Sequence, residues 1–314
     1  MRSYRCNSKG QALKKKARIF PPNFRHPDWR KCMNFMQNLN TLIQYCLPAH
    51  LVSRIVGRLA FCKNNQVKNF LIHQFVKRLD IEMDEVAEPA LDAYPHFNAF
   101  FTRALKDGVR PLAGKKYIAS PADGTVFGGG QLSSDTRLTA KGHHFSLTEL
   151  FGGKGYNEIY SEGHYLTVYL SPKDYHRVHC PMDAELKHMV HVPGRLFSVN
   201  ESTTTSIPAV FARNERVIMH FKSEHGPFSI VLVGAMLVAS IETPFAGLIT
   251  PPGRCITEWN YHRGTHHKFA QGDEVGRFQY GSTVILILPK SMKGFKPKVT
   301  GGKAIKMGES LGQP

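Results

Sequence analysis

Two hydrophobic periodicities divide the chain near residue 80. Before that point apolar residues recur every three or four positions. Phe35, Leu39, Leu42, Ile43 and Cys46 share one helical face, and Pro48 stops the run. Leu51, Val52, Ile55, Val56 and Leu59 form a second face, with Arg54 and Arg58 opposite. Val67, Phe70, Leu71, Phe75 and Leu79 form a third, with Lys68, Lys77 and Arg78 elsewhere. The spacing predicts three short amphipathic helices with basic polar faces. Two uses are open for them: docking on a membrane interface, or packing against a core as a helical subdomain.

Later in the chain the texture changes to short β-branched and aliphatic runs punctuated by Gly and Pro, at 164–170, 216–221, 228–241 and 283–288. Helical patterns do not regularly separate them, which argues against a doubly wound fold. The expected class is α+β, with N-terminal amphipathic helices followed by a mostly antiparallel β-rich sandwich or barrel-like catalytic domain. The expected boundaries are a basic flexible extension at 1–33, a helical region at 34–80, an acidic linker at 81–95 and the β-rich domain at 96–314.

Charge adds a partner to this picture. Lys+Arg 41 against Asp+Glu 24 gives a formal +17, and residues 1–35 hold ten of the cations against one acid, Asp28. Such a balance calls for a polyanion, either nucleic acid or an anionic lipid surface. The longest apolar run, Ile230 to Ile241, is well short of the ~20 residues of a spanning helix. The basic N-terminus lacks the apolar core of a signal peptide. Six cysteines without CxxC spacing indicate neither a disulfide framework nor a zinc site, and fit a reducing cytoplasmic compartment.

Three stretches concentrate polar chemistry. Ser120-Pro121-Ala122-Asp123-Gly124 places an Asp in a turn between apolar runs, where turn propensity alone accounts for it. Tyr169 through Pro181 carries His176 and His179 at i, i+3, open to reading as metal ligands, surface imidazoles, or a general base and proton donor. Gly281-Ser282-Thr283 precedes the apolar run Val284 to Leu288 and reads either as a plain turn or as a serine with an unhindered glycine carbonyl before it. The serine precedes a strand, so it is not the nucleophile elbow of an ordinary serine hydrolase.

Together these stretches resemble the phosphatidylserine decarboxylase family, of the membrane-associated bacterial type, from about Phe35 to the end. The resemblance also rests on Phe97 to Arg103, Lys141 to Leu147, Val192 to Asn200, Phe211 to Arg216 and Val233-Gly234-Ala235. It does not cover the basic extension. It implies a proenzyme that cuts itself between Gly281 and Ser282 into a large β chain, 1–281, and a small α chain, 282–314. Asp123, His179 and Ser282 match the family's charge relay for this step. Ser282 is thereby converted to a covalent pyruvoyl cofactor, which forms a Schiff base with phosphatidylserine and releases CO2 to give phosphatidylethanolamine. His176 is implied as proton donor, and His144 and Phe145 as lining the head-group pocket. No metal is implied. The resemblance further implies a homodimer of αβ units at the cytoplasmic face of the cell membrane, and favours the lipid surface over nucleic acid as the basic chain's partner.

Overall fold

The computed structural model describes residues 41–314 except 43, 141–142, 154–156, 237–239, 251–254, 262–266, 280–281 and 300. The basic extension and the start of the first expected helix lie outside the described residues. Residues 41–46, 43 aside, are helical.

Two further helices follow, α1 (Ala49–Ala60) and α2 (Asn65–Leu79). The Asn64 side chain caps α2 by accepting hydrogen bonds from the backbone N–H groups of Gln66 and Val67. Their most buried residues are not those of the apolar faces read from the sequence. On α1 the small residues Ser53 and Ala60 are buried, while Leu51, Ile55 and Leu59 are exposed. On α2, Ile72 and Lys68 are buried, whereas Phe70 is 64% exposed. The lysine is accommodated because its ammonium reaches the Asp92 carbonyl at 2.8 Å, leaving its methylenes to pack. Phe75 sets the register of α2 by packing edge-on against Phe97, Phe100 and Phe101 of α3 (Phe97–Phe101).

The domain beyond is built on a nine-stranded sheet among the described residues. Its principal strands are β1 (Gly124–Gln131), β2 (His164–Leu170), β4 (Ala184–Val192), β5 (Arg216–Ser223), β6 (Gly226–Val233), β8 (Thr257–Asn260), β10 (Ser282–Leu288) and β11 (Ala304–Ile305). They lie in the order β8-β4-β5-β6-β10-β2-β1-β11, and every neighbouring pair is antiparallel. A smaller sheet contains β3 (Arg177–His179), β7 (Ile241–Thr243) and β9 (Glu274–Phe278). The α+β class and antiparallel pairing hold, but the path from β8 to β11 does not close, so the barrel-like alternative is set aside. The apolar run 228–241 is not one strand. It leaves β6 at Val233, and the next strand, β7, belongs to the smaller sheet. Asn214 fixes the departure by donating to the Gly234 and Phe197 carbonyls.

The main core runs through the centre of the large sheet, with Val284 to Leu288 fully buried between β2 and β6. The helices contribute a separate cluster of Ala60, Ile72, Tyr94 and the α3 phenylalanines. Ile72→Ala should therefore cost about 2–5 kcal/mol in urea unfolding. Phe70→Ser, two residues away, should shift stability by no more than about 0.5 kcal/mol. The reverse order would refute this orientation of α2.

Candidate active site

Strand pairing gathers the three polar stretches at one end of the large sheet. Ser282, the first residue of β10, pairs with Leu170, the last of β2, and Thr283 pairs with both Tyr169 and Val233. On the other side of β2, Thr125 pairs with the same Tyr169, which brings Asp123 to the same edge. At the usual interstrand spacing, β1 and β10 stand roughly 10 Å apart across β2. The approach to Ser282 is held from the smaller sheet: β9 pairs Arg277 with Arg177 and Glu274 with His179, and Phe278 N–H donates to the His176 carbonyl at 3.0 Å. Gly281 lies outside the described residues, as does the side chain of Ser282.

Asp123 is buried in a turn that requires Gly124, since a Cβ there would collide with the Tyr169 carbonyl. Its Oδ1 accepts from Met307 N–H at 2.7 Å and from Arg110 Nε at 3.0 Å, and its Oδ2 from Arg110 Nη2 at 2.7 Å. Arg110 Nη2 also donates to Glu85 Oε2 at 2.6 Å. Burial alone would lower the guanidinium's pKa, but its bonds to Asp123 and Glu85 outweigh that and raise it. The Glu85 carboxyl is held down at about 2, first by its bond to Arg110. The carboxylate of Asp123 is thus engaged by an arginine and a backbone amide, and no hydrogen bond joins it to His179.

His179 is buried and makes two hydrogen bonds, Nδ1 with the Gly272 carbonyl at 2.7 Å and Nε2 with the Tyr175 hydroxyl at 3.0 Å. A carbonyl only accepts, so Nδ1 carries the proton and the Nε2 lone pair receives the Tyr175 O–H. Burial lowers the pKa of His179, while the more distant charges of Glu274 and Asp123 pull the other way. Burial also pushes the Tyr175 phenol up to about 12, so it stays a donor. The result is a neutral imidazole in one tautomer, fixed by the Gly272 carbonyl, with a basic nitrogen facing a weak acid.

His176 is fully buried, its Nδ1 on the Asp174 carbonyl at 2.7 Å and its Nε2 without a partner. The ring packs on Phe101 at 4.1 Å, and burial takes its pKa down to about 3. At neutral pH its unpartnered nitrogen is therefore a proton acceptor. The two histidines orient Nδ1 toward separate carbonyls. A cavity of about 380 Å³ opens beside Asp123, lined by Arg103, Arg110, Lys173, Asp174 and Tyr175 among others but by neither histidine. Neither His144 nor Phe145 lines it. His144 is exposed and bonds Thr139 Oγ1 at 2.9 Å, and Phe145 is buried against Phe211.

This site sits within a region shared with known proteins. The family profile described as Phosphatidylserine decarboxylase matches residues 97–313, and a second profile, described as PSD, matches 39–79. A protein of Marinobacter nauticus named phosphatidylserine decarboxylase proenzyme is 47% identical over 281 residues, covering 88% of this chain and 98% of its own. Proteins with the same name from Ectopseudomonas mendocina and Pseudomonas aeruginosa (strain LESB58) are 48% and 46% identical, over 88% and 90% of this chain and 98% and 99% of their own. The chain belongs to the phosphatidylserine decarboxylase family. It is accordingly a carboxy-lyase.

Within this member of the phosphatidylserine decarboxylase family, the polar centre is larger than the sequence motifs suggested. Tyr175 and Arg103 belong to it, which the sequence marks only as members of longer stretches, and so does Arg110, which no motif contains. The buried histidines give the decarboxylase a measurable acid sensitivity. Below pH 6.5 the unfolded chain protonates them while the folded chain resists, down to about 3 for His176. Stability should thus fall as pH drops through this window, by up to about 1.4 kcal/mol per pH unit for each histidine. His176→Gln should flatten the acid limb by one histidine's share, read by urea unfolding at pH 7 and 5; an unchanged slope would contradict the assignment.

Proposed function

We propose that this chain is a phosphatidylserine decarboxylase proenzyme that activates itself by breaking the Gly281–Ser282 bond. The observation that carries the reading is the start of β10 at Ser282, held beside β2 at the edge where the buried, neutral His179 presents a basic Nε2. The Ser282 hydroxyl takes the place of the Tyr175 hydroxyl on that nitrogen and loses its proton there. Its oxygen adds to the Gly281 carbonyl, and the proton passes to the departing amide nitrogen, leaving an ester and a free amine. Asp123, whose charge raises the proton affinity of His179, stabilises the imidazolium in passing. Loss of the Ser282 α-proton then expels the Gly281 carboxylate, and water replaces the nitrogen as ammonia. Residues 1–281 and 282–314 become the β and α chains.

The pyruvoyl group so formed supplies an electrophilic carbonyl that acts as the electron sink when phosphatidylserine loses CO2. The surroundings fit such a group: His176 holds an orphaned, buried Nε2, and the backbone running into Ser282 is tied to the His176 carbonyl. His176 takes up a proton at Nε2 and returns it to the carbon that CO2 leaves. A lipid substrate gives the exposed apolar face its partner. Leu51, Ile55, Leu59, Phe61 and Phe70 are each 44–64% exposed, with Arg54 and Arg58 also exposed. Among the described residues no helix is long and apolar enough to cross a membrane. We therefore read the protein as a peripheral one, docked on the anionic cytoplasmic leaflet and working as a homodimer of αβ units.

Intact mass spectrometry of the purified protein should find two chains, 1–281 and 282–314, the smaller without a free amino terminus. Ser282→Ala and His179→Ala should each remain one chain. Wild-type protein that stays whole yet decarboxylates phosphatidylserine would falsify the mechanism.

The docking face has its own test. Replacing Ile55 and Phe70 together with serine removes about 1.5–3 kcal/mol of apolar burial per side chain. Sedimentation with anionic liposomes should then fall tenfold or more without loss of stability. Unchanged binding would rule this face out.

A further inference from the structure

Two arginines line the cavity beside Asp123, and they are in opposite states. Arg110 is saturated by the carboxylates of Asp123 and Glu85. Arg103 is buried more deeply, 5% exposed, but among the described residues no carboxylate lies within ion-pair distance of it. One nitrogen, Nη2, donates to the Lys173 carbonyl at 2.9 Å. The other two, Nε and Nη1, are buried and have no hydrogen-bond partner. The guanidinium lies over the Phe100 ring, 5.3 Å from its centroid, which fixes its plane without using a donor.

A guanidinium cannot shed its proton to escape this situation. Burial does lower its pKa, and the charges of Tyr94, Asp123, Asp174 and Glu85 do not cancel that. An uncompensated buried cation with free donors is costly, and an anion that reached those donors from the cavity Arg103 lines would remove the cost. Of the five carboxylates lining the cavity among the described residues, the three whose charges act on Arg103 are otherwise occupied. Asp123 and Glu85 hold Arg110, Lys306 pairs with Glu85 at 2.9 Å, and Asp174 accepts from the Ser171 N–H at 2.7 Å. Asp174 is moreover pushed toward its neutral form by burial. Lys173, exposed at the rim, adds a second cation.

We propose that Arg103 is a substrate-binding residue that takes the phosphodiester of the lipid head group in the cavity beside Asp123. This rests on the reading of phosphatidylserine as substrate. That head group carries two anionic groups, and the chemistry separates them. The carboxylate loses its charge as CO2 departs, so a guanidinium on it would stabilise the ground state more than the transition state. The phosphodiester is unchanged throughout, so binding it lowers KM without opposing the reaction.

The test uses Arg103→Gln and Arg103→Lys in the full chain, each first checked by intact mass for self-cleavage. Both should be cut like wild type, which separates this proposal from failure of the activation mechanism. With glycerophosphoserine as a soluble substrate, Arg103→Gln should raise KM at least tenfold with kcat within threefold, and Arg103→Lys should recover part of the loss. Competitive inhibition by glycerophosphoethanolamine, which has the phosphodiester but no carboxylate, should weaken by the same factor as KM rises. An unchanged inhibition constant beside a raised KM would assign Arg103 to the carboxylate and overturn the proposal. So would an unchanged KM, a loss confined to kcat, or an Arg103→Lys chain that stays uncut.

Discussion

β10 is hydrogen-bonded on both sides, to β2 and to β6, and its residues Val284 to Leu288 have no solvent contact. Sliding such a strand by one residue would turn five buried aliphatic side chains to the wrong faces, so its register is fixed. Everything at the polar edge inherits that position. Leu170 marks where Ser282 begins, Tyr169 relates Thr283 to Thr125, the loop after β2 delivers Tyr175 and His176, and β3 carries His179. A site assembled this way depends little on the stiffness of any one loop, because three strand registers agree on where its parts must be.

Desolvation sets the chemistry of that edge. Burial keeps His176 and His179 neutral and Tyr175 protonated, and two backbone carbonyls choose the tautomers. The same burial forces charges to pair, and Arg110 joins Asp123 to Glu85. Glu85, well before β1 in sequence, is one hydrogen-bonded step from the carboxylate at the site.

How much of this was legible beforehand depended on the range of the interactions. The strands around 164–170, 216–221 and 283–288 are local patterns, and they appear close to where the alternation and apolar runs put them. The split of 228–241 was not legible, because it depends on Asn214 reaching Gly234 from twenty residues away. On α2 the periodicity put Phe70 on the apolar face and Lys68 off it and left open whether that face met a core or a membrane; the Asp92 carbonyl and the packing of Phe75 turn Lys68 inward and leave Phe70 exposed. Asp123, His176 and His179 could be picked out as chemically able residues. His176 is held by a neighbour, the Asp174 carbonyl, but Arg110 and Met307 N–H on Asp123 and the Gly272 carbonyl on His179 come from 13 to 184 positions away. Those pairings are properties of the topology and leave no local trace.

The topology also answers what a cut at Gly281–Ser282 would do to the fold. The segment after the cut contributes β10 to the middle of the sheet and β11 to its edge, where Ala304 pairs with Thr125 and Ile305 with Gly124. A further strand, Ser310–Gln313, pairs with Ile118–Ala119. Releasing residues 282–314 would expose Val284 to Leu288 alone at a cost on the order of 10 kcal/mol. It would also remove the Met307 N–H from Asp123 and leave a buried carboxylate short of a donor. A severed segment would therefore stay in place, its new end at Ser282 held to β2 by the same strand pairing that positioned it before. Cleavage there would free a chain end without freeing the chain.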